Sequence, residues 1–400
     1  AVAAIEGVTL KNEGFYRFES TLGGKVFHSN PTWCSSSNTG QIYWGDPHIH
    51  TNLSNCGPER GRSLNYCFTA AKHSTCLDWA SAADHVSNGR CELAKWKEQA
   101  AVSNLFDEPG DFVTLPAYEA SLSGGKGGDN NVYMTRFPDM FVDMYDTGGS
   151  VSELVDGLKE KLPEDEFLVV PHHTTRTGKH GEISNEIFPG ETMMPVMEIH
   201  SKWGTSEYRG NPNPLVKIHD GPSYAVDLLN QGLPLGFIGG TDAHTSVTTA
   251  RGGGFESPQL IGWHGMTAVF AEKLDRESVL QAIKNRQCYA VSRDKSLILG
   301  TVNDQPFGSK IEHSDSTVDI KARIAGKEKI AKIELARNGE VIQSVQPDNW
   351  HYDFEFRDTI DFENIAMQSE FIGKFVYYYI RVSFDNEAQA WSSPAWIASQ

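Results

Sequence analysis

The sequence predicts an α/β protein with a mainly parallel sheet or barrel, followed by a smaller antiparallel β-domain. From Ile42 to about Arg293, short apolar runs alternate with helical patterns. From about Ser296 onward, apolar and polar residues alternate with a period of two instead. A third observation concerns how the apolar runs of the first region end, since one after another stops at His, Asp or Glu. The chain therefore divides into an N-terminal extension, 1–41, an α/β unit, 42–295, and a sandwich-like β-domain, 296–400.

Residues 1–41 are polar and rich in Gly, Ser and Asn, with one alternating stretch from Gly14 to Glu19 that predicts a strand or two. Helices are expected over Leu64–His73, Cys91–Phe106, Val151–Leu162 and Arg276–Arg286, between the apolar runs. In the last region Thr317 to Ile324, Lys332 to Arg337 and Val376 to Val382 read as strands, with Asn338-Gly339 as a hairpin signal.

Composition excludes several classes. Across 400 residues, 35 Lys and Arg face 52 Asp and Glu, and the net charge of -17 would repel a polyanion, so no nucleic-acid partner is expected. The longest apolar runs, such as Phe167 to Val170, fall far short of the roughly 20 residues of a membrane helix, so no membrane span is expected. The first residues, Ala1-Val2-Ala3-Ala4, lack an initiating Met, which suggests a processed end and export to the periplasm or the medium; the alternative is the cytoplasm. The six cysteines form no C-x-x-C pair, and their pairing is not legible, nor is the oligomeric state.

The run endings hold the chemistry. Ile42 to Pro47 leads into His48-Ile49-His50; Leu77 to Ala83 ends in Asp84-His85; Phe112 to Tyr118 ends in Glu119. Phe167 to Pro171 ends in His172-His173, Val196-Met197 runs into Glu198-Ile199-His200, and Gly236 to Thr241 ends in Asp242-Ala243-His244. In a barrel of parallel strands the carboxyl ends share one face. His48 and His50 are two apart and so point the same way, as do Glu198 and His200, and Asp242 and His244. One His at a strand end is commonly a hydrogen-bonded structural residue. A face that collects this many imidazoles and carboxylates is instead the ligand set of zinc, manganese or iron, since burying them without a cation is costly.

In this order, H-x-H, D-H, E, P-H, E-x-H and D-x-H resemble the PHP superfamily, named for its polymerase and histidinol phosphatase domains. The chain is most similar to an uncharacterised PHP-like family with a Trp-Gly-Asp lead-in, here Trp44-Gly45-Asp46-Pro47-His48-Ile49-His50, and a terminal stretch like Ala390 to Trp396. The resemblance spans about Ile42 to Trp396. It implies a distorted (β/α)7 PHP-type barrel and a metal-dependent hydrolase with two or three divalent ions (Zn, Mn or Fe). It implies further that His48, His50, Glu119 and Asp242 hold a first metal, and that Glu119 bridges to a second held by His172 and His200. A third would be held by His85, His244 and the residue six after His50, usually Asp or His in the family and here Cys56. His173 stands where close relatives have Asn, which implies a group that handles substrate rather than metal.

The departure at Cys56 carries its own signal. Cys56-Gly57-Pro58-Glu59-Arg60-Gly61-Arg62-Ser63-Leu64 is similar to C-x-P-x-R-x-x-x-L, which in type I sulfatases directs oxidation of the Cys to formylglycine. The plainer reading is a thiolate in place of Asp, which a soft metal accepts. Anion clamps are expected among Arg60, Lys126, Arg176, Lys202 and Arg251, all in loops after the ligand strands. Asp46 and Asp84 are expected to orient ligand imidazoles.

Three functions follow. The first is a multinuclear metal-dependent hydrolase cleaving a small anionic phosphate ester with activated water. The second is a formylglycine sulfatase or phosphonate esterase with modified Cys56 as nucleophile. The third is an inactive metal- or sugar-binding module, suggested by Trp391 and Trp396, which also read as core between domains.

Overall fold

Strand Gln41–Ile49 is the element around which the α/β region is assembled. In the computed structural model, which describes all residues except 1–6, 36–39, 55, 57–60, 88, 90, 123–124, 177–180, 182, 216–222, 245–263, 313–315 and 399–400, it pairs in parallel with Trp79–Ala82 and antiparallel with Gly265–Ala271. Trp79–Ala82 continues in parallel to Val113–Thr114. Ala117–Ser121, Asp129–Met134 and Phe167–Pro171 form a three-stranded sheet, and Val196–Ser201 pairs in parallel with Gly236–Gly239. Two isolated parallel bridges, Ile49 to Ala243 and His85 to Glu119, tie these pieces together at the ends that carry the ionisable residues.

A regular repeat of seven βα units is not what these strands make, and no closed seven-fold barrel is formed among the described residues. Asp129–Met134 runs antiparallel to both its neighbours and follows Ala117–Ser121 with no helix between them, a connection too short for a parallel crossover. Gly265–Ala271 is likewise antiparallel to Gln41–Ile49 and to Cys288–Ser292. The Asp129–Met134 strand escapes hydrophobic patterning because its first three residues, Asp129, Asn130 and Asn131, are polar and yet buried.

The helices fall close to their expected places, at Leu64–His73, Leu93–Phe106, Val151–Lys159 and Arg276–Lys284, with Ala225–Asn230 in addition. Local chemistry fixes their starts. Ser63 and Asp275 each accept a backbone N–H of the first turn, and Ser150 with Glu153 forms a reciprocal capping box. Among the described residues, no helix is long and apolar enough to cross a membrane.

Two glycines of the motifs are required by close approach. A Cβ on Gly45 would lie 2.0 Å from the Trp79 indole, and one on Gly240 would lie 2.5 Å from Glu198 Oε2 and 2.6 Å from His48 Cβ.

The C-terminal strands are joined to the α/β strands. Cys288–Ser292 pairs with Gln389–Ser392, so one twelve-stranded sheet runs from Val113–Thr114 through Gln41–Ile49 to Gly373–Phe384 and beyond, across position 295. A four-stranded sheet containing Leu297–Val302, Thr317–Ala325 and His351–Thr359 packs on it through Ile298, Ile320, Ile324, Ile333, Leu335 and Ile380. Asn338 and Gly339, at φ 51° and 83°, turn Ile330–Arg337 back into Glu340–Val345. In the N-terminal region Gly14–Tyr16 pairs with Thr32–Cys34, and Glu19–Leu22 with Lys25–His28. All six cysteines carry free thiols.

Trp391 and Trp396 are fully buried at 0% exposure, so neither offers a sugar-stacking surface. Trp391 Nε1 donates to Glu207 Oε2 at 2.7 Å, and Tyr379 Oη and Arg381 Nη1 both donate to Glu207 Oε1. This locks the C-terminal sheet onto the segment following Val196–Ser201. Burial pushes the Glu207 carboxyl up, and the Arg381 guanidinium opposes that. Arg381→Met strands a buried carboxylate and is expected to cost about 3–5 kcal/mol in urea unfolding. Adding Glu207→Gln in that background should recover most of the loss; no recovery would show that the charge is not what matters.

Candidate metal centre

The H-x-H strand brings its two imidazoles together, with His48 Nε2 and His50 Nε2 3.1 Å apart. Their other nitrogens are held away from that point. His48 Nδ1 donates to Glu198 Oε2 at 2.9 Å. His50 Nδ1 donates to Ser54 Oγ at 2.9 Å, whose own hydroxyl donates to Asp84 Oδ1 at 2.6 Å. Both Nε2 lone pairs are thereby aimed at one place, the tautomer a metal ligand needs.

Two carboxylates divide their oxygens around it. Glu119 Oε2 lies 3.1 Å from His50 Nε2 and 3.2 Å from His85 Nδ1, while Oε1 lies 3.7 Å from His172 Nε2. Asp242 Oδ1 lies 3.1 Å from His50 Nε2 and 3.3 Å from His244 Nδ1, while Oδ2 lies 3.0 Å from His173 Nε2. Each carboxylate can thus serve two positions. Among the described residues, four groups of donors have all their ligand atoms within 4.8 Å of one another: His50, Cys56, His85 and His244; His48, His50 and Asp242; His48, Glu119 and His172; and His172, His173 and Asp242.

These residues fit a divalent cation. Both nitrogens of His172 are buried with no hydrogen-bond partner, while His173 Nε2 and the Asp242 oxygens face one another and the other imidazoles as ion pairs without hydrogen-bond geometry. A buried ring with neither nitrogen used is costly unless something binds it. Asp242 and His173 also sit in the left-handed backbone region, at φ 49° and 54°, a conformation held at functional sites by the surrounding structure.

Charge is shared unevenly across the centre. Burial alone would lower the pKa of His48, but the charges of Glu198 and Asp242 hold it well above its ordinary value. Burial likewise opposes the upward shift of His50, which Asp242 and Glu119 produce. Burial and the neighbouring His48 push His172 well below the usual range, as burial and His50 do for His244. Glu119 and Asp242 resist the upward push of burial and stay well below the carboxylate range, Glu119 chiefly through His85 and Asp242 chiefly through His48. Against the effect of burial, a hydrogen bond to His85 brings the Cys56 thiol down.

The other expected site residues fall as follows. Asp84 acts on His50 through Ser54, and it also accepts from Thr51 N and Oγ1. Asp46 does not touch an imidazole ring. It accepts from the backbone of His48 and from Thr241 N and Oγ1, fastening the H-x-H strand to the Thr241-Asp242 loop, and burial raises its carboxyl to about 7. His200 belongs to none of the four donor groups; its Nδ1 contacts Thr205 Oγ1 at 2.8 Å and its ring stacks on Trp391. His173, expected to handle substrate, is placed as a candidate ligand. Lys202 is buried at 3% exposure, and Arg176 reaches His173 Nδ1 at 3.5 Å. Lys126 is exposed, and its carbonyl accepts from Val151 N at the start of a helix. Arg60 and Arg251 lie outside the described residues.

Sequence reasoning left out Ser54, Glu198 as the direct partner of His48, and Trp203, whose ring centroid is 6.1 Å from those of both His173 and His244. Glu198 was findable, being two residues from His200 on a strand that faces the centre.

No family model matches the sequence. Uncharacterized proteins of Chlamydia trachomatis serovar D and Chlamydia pneumoniae are 26% and 24% identical over 96% of this chain and 62% of their own length. One from Chlamydia muridarum is 32% identical over 50% of this chain and 34% of its own. The chain thus spans under two thirds of the length of these relatives. Among solved structures, a two-domain protein of Bacteroides vulgatus containing a predicted PHP-like metal-dependent phosphoesterase is similar at a TM-score of 0.45 and 11% identity, covering 85% of this chain and 90% of that one. PsfC of Pseudomonas syringae is similar at 0.37 and 15% identity, covering 60% and 87%.

Stripped of metal, the centre has a definite pH dependence. The folded pKa of His48 lies above its unfolded value, near 6.5, so its ion pairs stabilise the fold fully below that value and are lost as pH rises through the raised one. Glu119 and Asp242 are depressed, so their contribution is present above the unfolded carboxylate range and is lost only as pH falls through the lowered values. Metal competes with the His protons and binds more tightly as pH rises. The difference in Tm between metal-loaded and chelated protein should therefore widen steadily from pH 6 to pH 9 in scanning fluorimetry; a constant or shrinking gap would contradict this charge distribution.

Proposed function

We propose that the protein is a metal-dependent hydrolase of phosphate esters, with two or three divalent ions of the zinc, manganese or iron class held by His48, His50, His85, Glu119, His172, Asp242 and His244. The observation that carries this is the convergence of these donors around two buried carboxylates whose paired oxygens face different imidazoles. When bound, such ions lower the pKa of a water and offset charge on the ester oxygens.

The chain's own residues do the rest. Glu198 and the Ser54–Asp84 pair keep His48 and His50 presenting Nε2, and Asp46 fixes the distance between the H-x-H strand and Asp242. His173 stands between Asp242 and the Arg176 guanidinium, where its Nε2 can serve as a ligand while Nδ1 accepts from Arg176. Arg176 and Lys202 supply positive charge for the ester on that side. The burial of His48, His172 and Asp242 keeps bulk water from competing.

Cys56 is read as a thiolate donor alongside His50, His85 and His244, and that group favours a soft ion such as zinc. The formylglycine reading of the same position is supported by the sequence motif, of which 57–60 lie outside the described residues. The mass of the Cys56 peptide from active protein is expected to be that of an unmodified thiol; an aldehyde at this position would replace the water mechanism with a covalent one.

The direct test is hydrolysis of aryl phosphate mono- and diesters by protein of measured metal content. Asp242→Ala should lower kcat/KM by more than about 100-fold, because even outer partners of metal ligands cost 10–100-fold, and Ser54→Ala should fall within that range with metal affinity reduced. No turnover at full metal occupancy would refute the reaction.

A further inference from the structure

The geometry points to Trp203 as an anion-binding residue of this centre, its indole N–H holding a terminal oxygen of the tetrahedral oxyanion that Arg176 also engages. This rests on the proposed ester site and adds to it a specific recognition element for the substrate's oxyanion.

Trp203 is placed by a tight hairpin. Val196–Ser201 pairs antiparallel with Gly204–Thr205, with Ser201 opposite Gly204, so Lys202 and Trp203 form the two-residue turn. Gly204 makes this turn with φ at 122°, and a Cβ there would lie 2.5 Å from the Pro214 carbonyl oxygen. Trp203 N also donates to Ser201 Oγ at 3.3 Å, which ties the turn to its own strand. The strand that carries Glu198 to the centre therefore delivers the indole beside it with little freedom.

Its surroundings are those of an anion site. The ring meets His173 and His244 edge to face, at 85° and 89°, so it borders the centre on the Asp242 side. The Arg176 Cζ lies 5.8 Å and the Lys202 Nζ 5.0 Å from the ring centroid. Both cations are within the range in which an indole face attracts them. The indole Nε1 is buried and makes no hydrogen bond. Indole nitrogen can only donate, and a buried donor without an acceptor is destabilising. An unused indole N–H beside the Arg176 guanidinium, at the edge of a histidine–carboxylate cluster, lacks one component, an acceptor, and an anionic one suits the neighbouring positive charge. A purely packing aromatic ring gains nothing from a stranded donor, which phenylalanine would not carry.

Inorganic phosphate is the probe. Titrated calorimetrically into the metal-loaded protein, it should bind about tenfold or more weakly to Trp203→Phe, the size expected for losing one hydrogen bond to a charged group. Metal content per chain and the circular dichroism spectrum should stay at wild-type values. Arg176→Gln should weaken phosphate similarly, and the double variant should lose less than the product of the two, as expected for groups sharing one anion. In nitrogen-15-labelled wild-type protein, one indole N–H resonance should move on adding phosphate, which reports on the site even if Trp203→Phe does not fold. Unchanged phosphate affinity in Trp203→Phe, or no indole resonance that responds, would overturn the assignment. The two readings fail separately. Phosphate binding that depends on Trp203 in a protein that hydrolyses no ester would remove the reaction and leave this site; ester hydrolysis with phosphate binding indifferent to Trp203 would do the reverse.

Discussion

Everything around the centre depends on two carboxylates, Glu119 and Asp242, buried at 2% and 1% exposure among imidazoles. A carboxylate carried that far from water must be neutralised, paired or bound to a metal. Here both are kept ionised by the histidines around them, and those histidines are kept from collapsing onto one another by outer partners. Glu198 takes up the far nitrogen of His48, and Ser54 with Asp84 that of His50. The carboxylates around His48 and His50, Glu198 among them, raise the affinity of both rings for a proton, so proton and metal compete for the same nitrogens.

The histidine and acid positions were legible because backbone geometry makes them so. Residues two apart on a strand share a face, and H-x-H, E-x-H and D-x-H each put that pair at the end of an apolar run. The helices were legible from their periodicity and caps. The topology was not. Asp129–Met134 shows no apolar alternation, because its buried polar residues lie next to Glu119, with Asn131 directly opposite it across the ladder. Strand direction also left no trace in composition: Gly265–Ala271 is as apolar as a parallel strand and runs antiparallel to both neighbours.

Roles that depend on a third residue were the least readable. Asp46 and Asp84 were both expected to orient imidazoles, and only Asp84 does, through a serine whose position in the loop gives no signal by itself. The spacing that puts His200 on the face of Glu198 holds, yet its ring turns to Trp391 and Thr205. Trp203 was invisible for another reason: a lone tryptophan after a strand reads as core, and only its stranded N–H and its two cations distinguish it.

The ring stacking of His200 on Trp391 links the centre to the C-terminal strands. Trp391 belongs to Gln389–Ser392, pairs beside Cys288–Ser292, and donates to Glu207, which Arg381 and Tyr379 also hold. Glu207 in turn follows the hairpin that carries Lys202 and Trp203 by only a few residues. C-terminal strands that carry no metal-donor group thus fix the strand that brings Glu198 to His48 and the turn that follows it. The C-terminal strands thereby set where His200, Lys202 and Trp203 stand, and a buried ion pair suits that task because its geometry is specific even where its net stabilisation is small.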